Sequence, residues 1–142
     1  RGRLTLRYKK LIDKLGLRER VDMVGWVPRS KTLEYLLASD VYVSPSLSDG
    51  TSASLLEAMT LKVPVVVSNI PSNKMWVVHE KSGLLFDPRS YEDLAAKILE
   101  LLNDPDKAKE YAKAAFKVVL EKADWSKNFP KLEEAMLSHL KK

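Results

Sequence analysis

The amino-acid sequence predicts an α/β fold, a mostly parallel sheet flanked by helices, and three observations carry that expectation. Short apolar runs of strand length alternate with segments whose apolar residues recur at helical spacing. One of those runs, Pro64-Val65-Val66-Val67, is apolar without alternation, as suits a parallel strand covered on both faces. After residue 86 only helical patterns follow, so the last third of the chain packs as helices on what precedes it.

Taken in order, residues 4–17 place Leu4, Tyr8, Leu11, Ile12 and Leu15 at helical spacing, and Gly16 stands where a helix C-cap is expected. Residues 21–24 read as a short strand closed by Gly25. Pro28 and Ser30 open a helix over 31–38, with Leu33, Leu36 and Leu37 inward. Val41-Tyr42-Val43-Ser44 is a buried strand by its β-branched and aromatic content. A loop over 45–51 leads to a helix over 52–60, and 64–67 is the next strand. A second loop, 68–73, precedes a short helix at 74–79, and Gly83-Leu84-Leu85-Phe86 is the fourth strand, stopped by Asp87-Pro88. Helices follow over 91–102, from Asp104-Pro105 through 108–123, and over 128–140. Four strands are few for such a sheet, and an N-terminal portion lying upstream would account for that.

At 142 residues the chain is expected to form one domain, 1–142, large enough to bury about 68–70% of its unfolded surface. A hydrophobic fraction of 45% beside 30% charged residues is that of a soluble globular protein. No apolar stretch approaches the roughly 20 residues of a membrane span, and no apolar core follows the basic start, so neither a span nor a secretory leader is expected. With no cysteine, disulfides and thiolate metal sites are excluded; His79 and His139 share no metal-ligand spacing, so no metal or other cofactor is expected and a cytoplasmic setting is the default. Absent glutamine and plentiful lysine and glutamate lean towards a thermophilic source. The net charge of +5 comes largely from lysines mixed with Glu110, Glu121, Glu133 and Glu134 on the terminal helices, a solvated mixed-charge face. A basic surface against anionic lipid is the alternative; no recognition motif supports nucleic-acid binding.

The stretch from Ser44 to Met59 carries the chemistry. A buried strand ends, a polar loop containing Gly50 follows, and a helix begins. In open parallel sheets ligands bind beyond the carboxyl ends of the strands, and a helix N-terminus there offers N–H groups suited to phosphate. Gly50 lets a ligand approach the backbone, and Thr51, Ser52 and Ser54 add hydroxyls around Ala53. Asp49 and Glu57 bracket the loop; a carboxylate accepts from the vicinal hydroxyls of a sugar or ribose better than it meets phosphate. The layout suits a molecule in which sugar, diphosphate and ribose follow one another.

This run resembles the glutamate-x7-glutamate motif in the C-terminal domain of family 4 retaining glycosyltransferases, with Asp49 in the first position and Glu57 in the second. The resemblance extends in order through Val21-x-x-Val-Gly-x-Val27, Leu36-x-x-x-Asp-Val-x-Val-x-Pro-Ser46, Leu56-Glu-Ala-Met59, Val63-Pro-Val-Val66 and Gly83-Leu-Leu-Phe86. It implies a GT-B fold, two Rossmann-like domains facing across a cleft, of which this chain would be the nucleotide-sugar-binding C-terminal half, truncated at its N-terminus. It further implies retaining hexosyl transfer without a metal to an acceptor, some of them lipid-linked at a membrane surface, held by an N-terminal Rossmann-like domain that this chain does not contain. By the same resemblance Glu57 would hold the ribose, Asp49 the donor sugar, amides of Gly50, Thr51, Ser52, Ala53 and Ser54 the diphosphate and sugar, and Gly25, Trp26 and Val27 would border the base. Asp49 is one methylene shorter than the usual glutamate, Met75 stands where the family often carries a glutamate, and the family's phosphate-binding arginine and lysine lie upstream of Arg1. The chain alone is therefore expected to be inactive, and a non-catalytic nucleotide-binding or interaction module of the same fold is the alternative.

Plainer readings compete at several positions. Ser54-Leu-Leu-Glu57 is also a capping box, which would occupy the same carboxylate. Asp104-x-Asp106 matches a metal motif of another glycosyltransferase fold, but its setting is a helix start. His79 and Lys74 read as surface residues, and Trp125 as a packing residue; Trp76 is open between packing and stacking. No Gly-x-Ser-x-Gly elbow and no Gly-x-Gly-x-x-Gly fingerprint is present.

Overall fold

A computed structural model of the chain describes residues 4–140, and the backbone contacts divide into two compact units, the first ending at Thr32 and the second running from Leu33. In the first unit, α1 (Thr5–Lys14) stops as its glycine predicts: Gly16 takes φ +67°, its N–H bonds to the Asp13 carbonyl and the Leu17 N–H to the Ile12 carbonyl. The expected strand over 21–24 does not form. A strand exists only through the neighbour it bonds to, and no ladder partner engages this segment among the described residues. Gly25 follows it with φ +71°.

Helix α2 (Arg29–Leu37) straddles the boundary, and Leu36 is buried in the core of the second unit. That unit then runs β1 (Tyr42–Ser44), α3 (Ala53–Thr60), β2 (Val65–Ser68), α4 (Pro71–Lys74), β3 (Leu84–Phe86), α5 (Tyr91–Asn103), α6 (Pro105–Lys122) and α7 (Trp125–Leu140). The sheet has three parallel strands in the order β1-β2-β3, with Val43 opposite Val66 and Val66 opposite Leu84. Every residue of β2 is buried.

Alternation along β2 sorts the core into two clusters. Val65 and Val67 face Leu55, Ala58 and Met59 of α3, together with Val77, Ala115 and Val119. Val66 faces the other way, into Leu84, Phe86 and Leu101, with Val43, Leu94 and Ile98 against them. Helices α3 and α5 therefore cover opposite faces. Helix α6 joins the two layers: Ala108 and Tyr111 belong to the α5 side, Ala115 and Val119 to the α3 side. Its start is capped as predicted, with the Lys107 N–H donating to Asp104 Oδ1 at 3.0 Å and Pro105 at the first position. Lys107 also donates to Glu100 at 2.6 Å, tying α6 to α5 and holding the Glu100 carboxyl below its usual range.

Two helices begin earlier than their patterns suggest. Helix α4 covers 71–74 rather than 74–79, because Pro71 at the first position starts it and a turn follows. Helix α7 starts at Trp125 rather than Asn128, capped by Asp124, whose Oδ1 accepts from the Ser126 N–H at 3.0 Å. Trp125 is 67% exposed and packs against Phe129 on its own helix, outside the two core clusters.

The turn between α4 and β3 packs against β2 through Gly83, whose φ is +150°. A Cβ there would sit 2.6 Å from Val65 Cγ2 and 2.9 Å from the Val65 carbonyl oxygen. Backbone cannot yield cheaply at the central strand, so Gly83→Ala is expected to destabilise the chain by about 2–3 kcal/mol, read as a lowered denaturant midpoint at unchanged slope. A midpoint equal to the parent's would show that β2 and this turn are not held as described.

Candidate functional site

The parallel arrangement brings two loops to the carboxyl ends of adjacent strands, 45–52 after β1 and 69–70 after β2. The first carries most of the sequence-predicted residues. Ser44 is buried at the end of β1; the loop tip, 47–51, which includes Asp49, Gly50 and Thr51, is exposed. A Cβ on Gly50 would meet nothing within 4 Å, so the space above its backbone is open.

Helix α3 begins with Ser52 as its cap: Ser52 is extended, and its Oγ accepts from the Leu55 N–H at 3.4 Å. The capping box centred on Ser54 is thus not used. With Ser52 as cap the third helical position is Leu55, and Glu57 lies two residues too far along to reach back in that motif. Ser54 serves otherwise, its hydroxyl paired with Tyr42 Oη at 2.8 Å and with Ser52 Oγ at 3.1 Å. This chain of three hydroxyls fastens the first turn of α3 to β1, a role for Tyr42 that its strand-like surroundings conceal in the sequence.

Helix geometry leaves the N–H groups of Ala53 and Ser54 without intrahelical acceptors, at the positive end of the helix. Glu57 is half-buried and one turn beyond Ala53 on the same face. Helical side chains lean towards the helix start, and Glu57 stands one turn beyond the residues that bear those N–H groups. A phosphate at the helix start and a hydroxylated group beside Glu57 are the ligand chemistry this arrangement accepts. Gly25, Trp26 and Val27 belong to the first unit, where Trp26 is 88% exposed. A groove lined by Lys9, Ile12, Asp13, Arg18, Val21 and Met23 lies within that unit and contains none of the predicted residues.

Remaining candidates resolve into structural roles. His79 Nδ1 accepts from the Leu85 N–H at 3.0 Å, and Asp104 caps a helix. Among the described residues no group of three or more histidine or acidic side chains is placed to hold a metal ion. Trp76 packs against the α3-side cluster, with its buried indole N–H unpaired among the described residues. Lys74 and Met75 are exposed, and the Met75 carbonyl accepts from Lys122 at 3.0 Å. Sequence reasoning passed over Ser68 and Asn73, which are buried behind the β1–α3 loop; a polar residue inside an apolar strand run was the available signal.

Most of the chain is similar to known proteins. Residues 2–118 match the family described as glycosyl transferases group 1. A UDP-Gal:alpha-D-GlcNAc-diphosphoundecaprenol alpha-1,3-galactosyltransferase of Escherichia coli is 32% identical over 99 residues, 70% of this chain and 25% of that protein. A crystal structure of TarM from S. aureus, in complex with fondaparinux, alpha-GlcNAc-glycerol and UDP, superposes with a TM-score of 0.86 at 27% identity, over 94% of this chain and 27% of that one. The C-terminal domain of a glycosyl transferase group 1 family protein from Francisella tularensis superposes at 0.76 and 24% identity, over 87% of this chain and 65% of that one, a likeness of fold. The chain spans between a quarter and a third of the lengths of the first curated relatives it matches.

The cap assignment is testable on its own. Ser52→Ala is expected to lower stability by about 1 kcal/mol, whereas Glu57→Gln leaves the thermal midpoint within a degree or two. A Ser52→Ala variant as stable as its parent would remove Ser52 as the cap.

Proposed function

Because the chain belongs to the glycosyl transferases group 1 family, we propose that it is the donor-binding half of a sugar-transferring enzyme and that the β1–α3 loop holds a nucleoside diphosphate sugar. The observation that carries this reading is the start of α3. Two N–H groups at the positive end of a helix lie beyond the end of a parallel strand, with Gly50 open above and Glu57 one turn further along the same helix face. The N–H groups of Ala53 and Ser54 take the diphosphate, Glu57 the ribose hydroxyls, and Asp49 the sugar.

During transfer the bond from the sugar's anomeric carbon to the diphosphate oxygen breaks and a bond to an acceptor hydroxyl forms, the hydroxyl proton leaving with base. Negative charge grows on the departing diphosphate, and donors already aimed at it stabilise the transition state more than the ground state. The acceptor is held by a second Rossmann-like domain of the longer protein, and a lipid-linked acceptor at an anionic membrane surface fits the net charge of +5; no described helix is long and apolar enough to cross a membrane. The 1–142 chain acts as one donor-binding domain, in a cytoplasmic setting and without a metal, and is inactive alone. Two relatives carry a uridine diphosphate or its sugar in their descriptions, which favours a UDP-sugar here.

Calorimetric titration of UDP, GDP, ADP and their glucose and mannose conjugates tests the reading. One base is expected to bind selectively with a dissociation constant between about 1 μM and 1 mM, and Glu57→Gln to weaken it about tenfold on a fold of parental stability. Absence of binding by every nucleotide, or a Glu57→Gln variant that binds as tightly as its parent, would overturn it.

A further inference from the structure

Behind the β1–α3 loop lies a buried polar relay that the donor reading does not use. Ser68, at the end of β2, is fully buried, and Asn73 in α4 is 2% exposed. Asn73 Nδ2 donates to the Ser68 carbonyl at 2.9 Å and to Ser68 Oγ at 3.1 Å. Both amide hydrogens are thereby spent on one residue. Ser68 Oγ, accepting from Asn73, donates its single hydrogen to the carbonyl of Ser46 at 2.5 Å, across to the neighbouring loop. The relay runs one way, from α4 through β2 into the donor loop.

Stability alone does not call for these side chains. Residues 65–67 of the same strand are valine, and a buried hydroxyl and amide gain little over apolar residues of similar shape once desolvation is counted. What a satisfied buried relay supplies is a single geometry. Ser46 is held by Ser68, and Ser52 and Ser54 are held through Tyr42. Only 47–51 remain between the two anchors, and that stretch contains Asp49 and Gly50. So short a span closed at both ends has few conformations available to it. Without the Ser68 bond, Ser46 keeps only a 3.5 Å contact between its hydroxyl and that of Ser44, the last residue of β1.

We propose that Ser68 and Asn73 are positioning residues that set the β1–α3 loop for the sugar-diphosphate part of the donor, a role that rests on the donor-site reading. Ser68 touches the loop backbone, and Asn73 acts on the loop through Ser68. Ser68→Ala removes the last link with the smallest change of volume. Asn73→Asp is the second variant: a carboxylate accepts and does not donate, so the Ser68 hydroxyl turns towards it and releases Ser46.

The test joins backbone order parameters of 47–51 to binding of UDP-glucose and of UMP, on parent and variants well below their melting temperatures. In either variant the order parameters are expected to fall below about 0.6 and UDP-glucose affinity to drop about three- to tenfold, with UMP affinity unchanged, because UMP lacks the part that the loop meets. A loop that stays rigid in Ser68→Ala overturns the relay's role, as does equal weakening of both ligands, the mark of a merely structural residue. A parent that binds neither ligand overturns the UDP-sugar reading instead, and the positioning role falls with it whatever the order parameters show.

Discussion

Everything in the second unit depends on the parallel pairing of β2 with strands on both sides. Three consecutive valines, each buried, project alternately to the two faces, so each face needs its own apolar cover. Helix α3 supplies one and α5 the other, while α6 contributes Ala108 and Tyr111 to the α5 side and Ala115 and Val119 to the α3 side. Parallel pairing also sends every strand's carboxyl end the same way. The loops after β1 and β2 therefore emerge side by side, and that adjacency permits Ser68 to reach Ser46.

Stability and ligand chemistry are kept on separate faces of α3. Leu55, Ala58 and Met59 are the buried stripe that fastens the helix to the sheet, and Ala53 and Glu57 lie on another. The helix start is fixed by Ser52, Ser54 and Tyr42, none of which needs a ligand to be satisfied. Glu57 is thereby spared the duty that the capping-box pattern would have given it. The proposed donor site draws on this separation, with backbone donors at the helix start and Glu57 one turn further on.

Elements specified by their own residues were legible in the sequence; those specified by a neighbour were not. The valine run at 65–67, the Gly16 helix stop and the Asp104-Pro105 restart each follow from local chemistry, and the structure has them where the residues indicate. Residues 21–24 have strand-forming side chains, yet a ladder needs a second strand and none pairs with them among the described residues. Pro71 and Asp124 carried helix-start signals that the apolar periodicity after them outweighed. Of the site, the loop and the helix start were readable, because a strand, a glycine and a run of serines mark them. The hydroxyl chain from Tyr42 and the relay from Asn73 depend on strand register and on the packing of α4, and neither shows in spacing along the chain.

The central claim is that a donor nucleotide sits on the β1–α3 loop and the first turns of α3. The most direct measurement is a backbone amide titration of the isotopically labelled chain with UDP-glucose, followed residue by residue. Saturable shifts are expected to concentrate on Gly50, Ala53, Ser54 and Glu57. Shifts that instead gather on the groove around Lys9, Asp13 and Arg18, with 49–57 unmoved, would contradict it.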